Sequence, residues 1–100
     1  MPHYNTRLTV VGPVPTLKRF DAKWTNKVIP GLQYLELLEC SPRRIVLQFT
    51  TPALVLAAVT RLSRAWLSVV LLLDYEEEDK RIKGLAKAKA GRIEHYQIRY

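Results

Sequence analysis

The sequence is poor in the residues that small proteins use for cross-links, metal sites and phosphate cradles. It holds one cysteine, Cys40, so no internal disulfide and no cysteine-based zinc site is available. Four glycines form no phosphate-binding loop, and no serine elbow or paired-carboxylate motif is present. The two histidines, His3 and His95, lie far apart in sequence. No cofactor motif and no catalytic set emerges, so the chain reads as a non-enzyme without cofactor or metal. Long apolar runs are also missing. The longest, Val69-Val70-Leu71-Leu72-Leu73, falls well short of the ~20 residues a membrane-spanning helix needs. The stretch from Ala53 to Leu73 is interrupted by Arg61 and Arg64, and the N-terminus shows no secretory pattern. A single domain over residues 1–100, cytoplasmic and without membrane contact, is the expectation.

Charge is abundant and uneven. The net charge is +7. Residues 1–73 carry nine basic against three acidic side chains. Residues 74–79 carry five acids and no base, and residues 80–100 seven bases against Glu94 alone. A basic chain of this kind attracts nucleic acid, an acidic protein or an anionic surface.

Periodicity supplies the elements. Tyr4, Thr6, Leu8 and Val10 alternate with Asn5, Arg7, Thr9 and Val11, which predicts a strand ended by Gly12-Pro13. Leu17, Phe20 and Trp24 predict a helix over 14–26 opened by Pro15. Residues 32–40 suit either a short helix or a strand, and the turn signal Ser41-Pro42 favours the strand. Ile45, Leu47 and Phe49 predict the next strand. Thr51-Pro52 reads as a helix start, with Thr51 as N-cap, before the apolar stripe Val55, Ala58, Val59, Leu62, Ala65 and Trp66. Thr60, Arg61, Ser63 and Arg64 form its wet side. Val69 to Leu73 reads as a buried central strand, and Glu76 to Asp79 as an acidic loop. A final hairpin pairs 81–89 with 92–100 around Ala90-Gly91, setting Lys89 opposite Arg92, Lys87 opposite Glu94, Leu85 opposite Tyr96 and Lys83 opposite Ile98. This order predicts an α+β domain: a ferredoxin-like βαββαβ unit with an antiparallel sheet, both helices on one face, and a C-terminal β-hairpin.

Three segments resemble the small YubB-type ferredoxin-like domain proteins of plasmids, phages and other mobile elements. They are Met1 to Gly12, Leu47-Gln48-Phe49-Thr50-Thr51, and Leu73-Asp74-Tyr75-Glu76-Glu77 followed by Gly84 to Gly91. The resemblance covers residues 1–12 and 45–100. It departs from the family pattern in lacking a cysteine near residue 5, a tryptophan after Thr50 and a glycine in the acidic loop. It implies the fold and a mobile-element origin, and no activity.

Two surfaces are candidate sites. Val70 and Leu72 point away from Val69, Leu71 and Leu73, toward a face that no helix covers. Together with Leu85, Tyr96 and Ile98 they predict an apolar patch for a protein partner or a second copy, a sheet-mediated homodimer, unless residues 27–40 fold over it. The basic hairpin face, with Arg81, Lys83, Lys87, Lys89, Arg92, Tyr96 and Tyr100, is the alternative, for single-stranded nucleic acid. Lys83-Gly84-Leu85-Ala86 echoes the RNA-recognition signature, but Leu85, Lys87 and Ala90 stand where its stacking aromatics belong. Edge lysines that discourage aggregation explain the same pattern without any ligand. The acidic run lacks the ligand spacing of an EF-hand loop, and Cys40 has no nucleophile signature around it. Protein association through the sheet face is therefore the leading expectation, ahead of nucleic-acid binding and of a phage-type inhibitor of host defence, to which no residue points.

Overall fold

The computed structural model describes residues 3–20 and 31–100. Among these residues are six strands and two helices: β1 (Tyr4–Val11), α1 (Val14–Arg19), β2 (Gln33–Cys40), β3 (Arg44–Thr51), α2 (Leu56–Ala65), β4 (Val70–Glu77), β5 (Ile82–Lys89) and β6 (Arg92–Arg99). The strands form one antiparallel sheet in the order β2-β3-β1-β4-β5-β6.

Alternation assigns every central strand a dry and a wet side. Leu8, Val10, Ile45, Leu47, Phe49, Leu71, Leu73, Tyr75, Ile82, Ala86 and Ala88 are buried on one face. Leu17 and Phe20 from the α1 segment, and Ala58, Val59 and Leu62 from α2, join the same core. The small residues of β5 let α2 approach closely, since each missing methylene shortens the packing distance. Phe20 meets Trp66 edge-on, with ring centroids 5.3 Å apart. No helix among the described residues is long and apolar enough to cross a membrane.

Several boundaries differ from the sequence expectations. The described part of the first helix ends at Arg19, with Phe20 at its C-cap; the expected remainder, with Trp24, lies outside the described residues. Thr51 is the last residue of β3, not a helix cap. It pairs with Tyr4, and its hydroxyl donates to the Ala53 carbonyl at 2.7 Å. The second helix starts at Leu56 with Val55 at its N-cap. Ser63, expected on the wet side, is fully buried. Its hydroxyl donates to the Thr60 carbonyl and accepts the Gly91 N–H at 2.9 Å.

The acidic run is also more ordered than a loop. β4 continues through Glu77 because β1 and β5 pair with it along its length: Arg7 stands opposite Asp74, and Lys83 opposite Glu76. Glu77 points to the buried side, where its carboxylate accepts the backbone N–H groups of Asp79 and Lys80 and shapes the turn into β5.

Candidate protein-binding face

The sheet face opposite the core carries no helix among the described residues. Register places its side chains in rows across the strands. Val11, Val70, Lys89 and Arg92 form one row; Thr9, Leu72, Lys87 and Glu94 the next; then Arg7, Asp74, Leu85 and Tyr96; then Asn5, Glu76, Lys83 and Ile98. The exposed apolar residues run diagonally across these rows, from Leu72 through Leu85 to Tyr96 and Ile98, and are 40%, 59%, 71% and 63% exposed. Val70, at the head of the stripe, is half-buried.

The lower end of the stripe is concave. Asp74, Lys83, Gly84, Leu85, Tyr96 and Ile98 line a depression of about 300 Å³. Gly84 deepens it only in part, because its missing side chain faces the core, where Tyr75 takes the space. A second, polar depression of about 210 Å³ lies beside it among Asn5, Arg7, Gln48, Asp74 and Glu76. The stripe therefore offers an aliphatic seat bordered by carboxylates on one side and by Lys87, Lys89 and Arg92 on the other.

Segment 31–40 does not cover this patch. It leads into β2 (Gln33–Cys40) at the far edge, beyond β3 and β1, so of the two covers considered for Val70 and Leu72, this segment or a second subunit, residues 31–40 do not supply the first; residues 27–30 lie outside the described residues. Its pairing with β3 shifts register between Gln33 and Glu36 and again between Leu37 and Glu39.

The residues proposed from sequence for nucleic acid divide into two groups. Arg81, Lys83 and Tyr100 are engaged with one another. The Tyr100 hydroxyl donates to Glu76 Oε2, Lys83 Nζ lies 3.9 Å from the same oxygen, and Lys83 and Arg81 stand 5.3 and 5.8 Å from the Tyr100 ring centroid. That hydrogen bond to a carboxylate, with desolvation, pushes the Tyr100 hydroxyl up to about 12. A ring held this way is not presented for base stacking. Lys87, Lys89, Arg92 and Tyr96 remain exposed, and among the described residues the three cations make no ion pair. Arg44, at the same end of the sheet, is held by Glu39 through two bonds of 2.6 and 2.7 Å, which hold that carboxyl below its usual range.

The two sheet edges separate the thiol from one histidine: Cys40 is exposed in β2 and His95 lies in β6. His3 precedes Tyr4, whereas Cys40 pairs with Ile45 at the other end of the strands. The fold thus brings no histidine to Cys40. His95 instead sits with its Nε2 2.5 Å from the Tyr75 hydroxyl. Among the described residues no three His, Cys, Asp or Glu side chains cluster as a metal site.

Sequence reasoning missed Gly91, whose N–H is held by Ser63 and across which the Arg64 side chain lies, so that a Cβ at Gly91 would fall 2.7 Å from Arg64 Cγ. The glycine at the Ala90-Gly91 turn was a visible signal of the tight connection, but not of this clamp from α2. Comparison of the chain with family models, with curated proteins and with solved structures finds no match.

Proposed function

We propose that the chain is a small non-enzymatic, cytoplasmic binding domain of ferredoxin-like topology, from a mobile element, whose open sheet face takes a protein partner. Strand order β2-β3-β1-β4 with helices after β1 and β3 is the order of the split βαβ pattern, with β5 and β6 added as a hairpin on the β4 side. The mobile-element origin rests on the YubB-type resemblance of residues 1–12 and 45–100. The observation that carries the binding role is the diagonal stripe Leu72-Leu85-Tyr96-Ile98, left open beside an apolar depression. Contiguous exposed aliphatic and aromatic side chains rimmed by charge are the composition of a protein contact. Burying them returns about 25 cal/mol for each Å² removed from water.

A photo-crosslinking residue at Leu85 tests this, with one at Arg61 on the exposed side of α2 as control. A discrete protein adduct from position 85 alone is expected. Equal labelling from both positions, or an adduct made of nucleic acid, overturns the reading. A second reading, single-stranded nucleic acid, is favoured by one observation: Lys87, Lys89 and Arg92 cluster at one end of the face, and the exposed Tyr96 stands in the row next to Lys87. An inhibitor of a host defence system would use the same apolar face, since inhibition of this type is protein binding.

A further inference from the structure

The two edges of the sheet are built differently. On β2 the ladder is interrupted twice and Tyr34 has a positive φ of 56°, irregularities that prevent another strand from pairing alongside. β6 has neither device. Its eight residues pair with β5 without a register shift and contain no proline, and the N–H of Tyr100, the residue after them, donates to the Arg81 carbonyl at 2.9 Å. In an antiparallel pair the residues bonded to the neighbour alternate with residues whose N–H and C=O point the other way. The bond at Tyr100 and the two-residue connection at Ala90-Gly91 fix that alternation. Arg92, Glu94, Tyr96 and Ile98 bond to β5, and Ile93, His95, Gln97 and Arg99 turn their backbone groups outward. Among the described residues nothing pairs with those outward groups.

We infer that the outer edge of β6 is a strand-addition site occupied by β6 of a second copy of this chain, antiparallel and centred on Tyr96. A straight edge with unpaired amides and carbonyls accepts an extended strand, and main-chain bonds supply most of the contact. The choice of a second copy follows from the side chains. Around a two-fold axis at Tyr96 all four outward residues of each copy find partners: Ile93 opposite Arg99, and His95 opposite Gln97. On the open face Arg92 then meets Tyr100, Glu94 meets Ile98, and Tyr96 meets its own counterpart. No two cations stand directly opposite, and the aromatic pair at the centre is favourable. Moving the centre to His95 sets His95 against itself and puts Arg99 opposite the turn residue Gly91, where no strand partner is offered. Moving it to Gln97 sets His95 against Arg99. The pairing joins the apolar stripes of both copies across the seam, without using Leu72. It is therefore separate from occupation of the open face by a partner.

Sedimentation equilibrium of the full chain tests the inference at high salt, which screens the net charge of +7 on each copy. A concentration-dependent equilibrium between the 11.5 kDa chain and its dimer is expected. Gln97→Pro removes an outward N–H that makes no bond to β5, so the sheet tolerates it. It weakens dimerisation by roughly tenfold or more, because one inter-copy bond is lost on each side of the axis. Tyr96→Arg sets two cations opposite each other and weakens the dimer without altering the backbone; it decides the matter if the proline variant fails to fold. Leu72→Lys, on β4, leaves dimerisation unchanged. A chain that is monomeric at every concentration overturns the inference. So does a dimer that resists both β6 variants. A dimer abolished by Leu72→Lys instead moves the contact to the open face and leaves the proposed function standing.

Discussion

Tyr75 fills the space that a side chain at Gly84 would occupy. The two residues stand opposite each other on β4 and β5, and a β-carbon at Gly84 would overlap the Tyr75 Cζ and hydroxyl oxygen. Tyr75 is buried, packs edge-on to Tyr4 with centroids 5.9 Å apart, and reaches His95 across β5. Burial raises its hydroxyl's pKa, and the Gln97 side chain acts in the opposite sense. Gly84→Ala therefore forces this ring out of place. Overpacking of this kind costs about 1–3 kcal/mol. Urea unfolding of Gly84→Ala, Tyr75→Leu and the double variant checks it: the double variant is expected to lose less than the sum of the two, because the smaller side chain makes room for the methyl group.

The connection between β5 and β6 holds a residue in a conformation it does not favour. Ala90 has φ 52° and Gly91 φ 82°. Two positive φ values in a two-residue connection match the twist of the flanking strands, and asparagine followed by glycine suits them best. Ala90→Asn is expected to raise stability by about 0.5–1 kcal/mol, since a left-handed alanine carries a steric penalty that asparagine largely avoids. A higher urea midpoint at unchanged slope is the measurement, and a lower midpoint contradicts the assignment of strain.

Ser63 ties this same connection to α2. It is fully buried and uses both hydrogen-bonding capacities of its hydroxyl, toward Thr60 and from Gly91. Ser63→Ala leaves the Gly91 N–H without its partner and is expected to cost about 1–3 kcal/mol. Amide exchange at Gly91 should accelerate in that variant more than exchange in β1 or β3, because the loss is local to the turn.

Much of the sheet was legible from alternation alone. Thr6, Leu8 and Val10 are buried while Asn5 and Arg7 are exposed, and Lys89 stands opposite Arg92 as a two-residue connection requires. What misled was local signal overruled by pairing. Thr51-Pro52 has the look of a helix start, yet Thr51 stays in β3 because Tyr4 offers it a ladder partner. Glu76 and Glu77 look like loop residues, yet Lys83 and two turn amides satisfy them in place. The patch residues Leu72, Leu85, Tyr96 and Ile98 were visible as apolar positions on the wrong side of their strands. The engagement of Tyr100 with Glu76 was not, because it joins the end of the chain to a residue in β4.

That engagement makes Tyr100 titrate late. Its hydroxyl donates to the Glu76 carboxylate, which favours the protonated phenol and pushes its pKa up to about 12, against an ordinary value of about 10. The folded-state value is the higher one. Its contribution to stability is therefore fully present below about pH 10, and is lost as pH rises through about 12. Glu76→Gln removes the anionic acceptor, and the Tyr100 resonance should then titrate nearer the ordinary value. A titration unchanged by Glu76→Gln contradicts the pairing.

The same engagement limits what nucleic acid can find on this surface. Arg81 and Lys83 stand over the Tyr100 ring, Lys83 also lies near Glu76, and Arg44 is held by Glu39. Lys87, Lys89 and Arg92 are the open-face cations on β5 and β6 outside that cluster. A single strand held there neutralises about three phosphates, so the logarithm of its binding constant should fall against the logarithm of salt with a slope near −2. Charge reversal at Lys87 or Lys89 should lower the slope by about 0.7 each, while Lys83→Gln changes it little. A slope of about −3.5 means that Arg81 and Lys83 leave Tyr100 and Glu76 to meet the backbone, which returns the whole basic face to nucleic-acid binding. No measurable binding at low salt removes that reading and leaves the apolar stripe as the working surface.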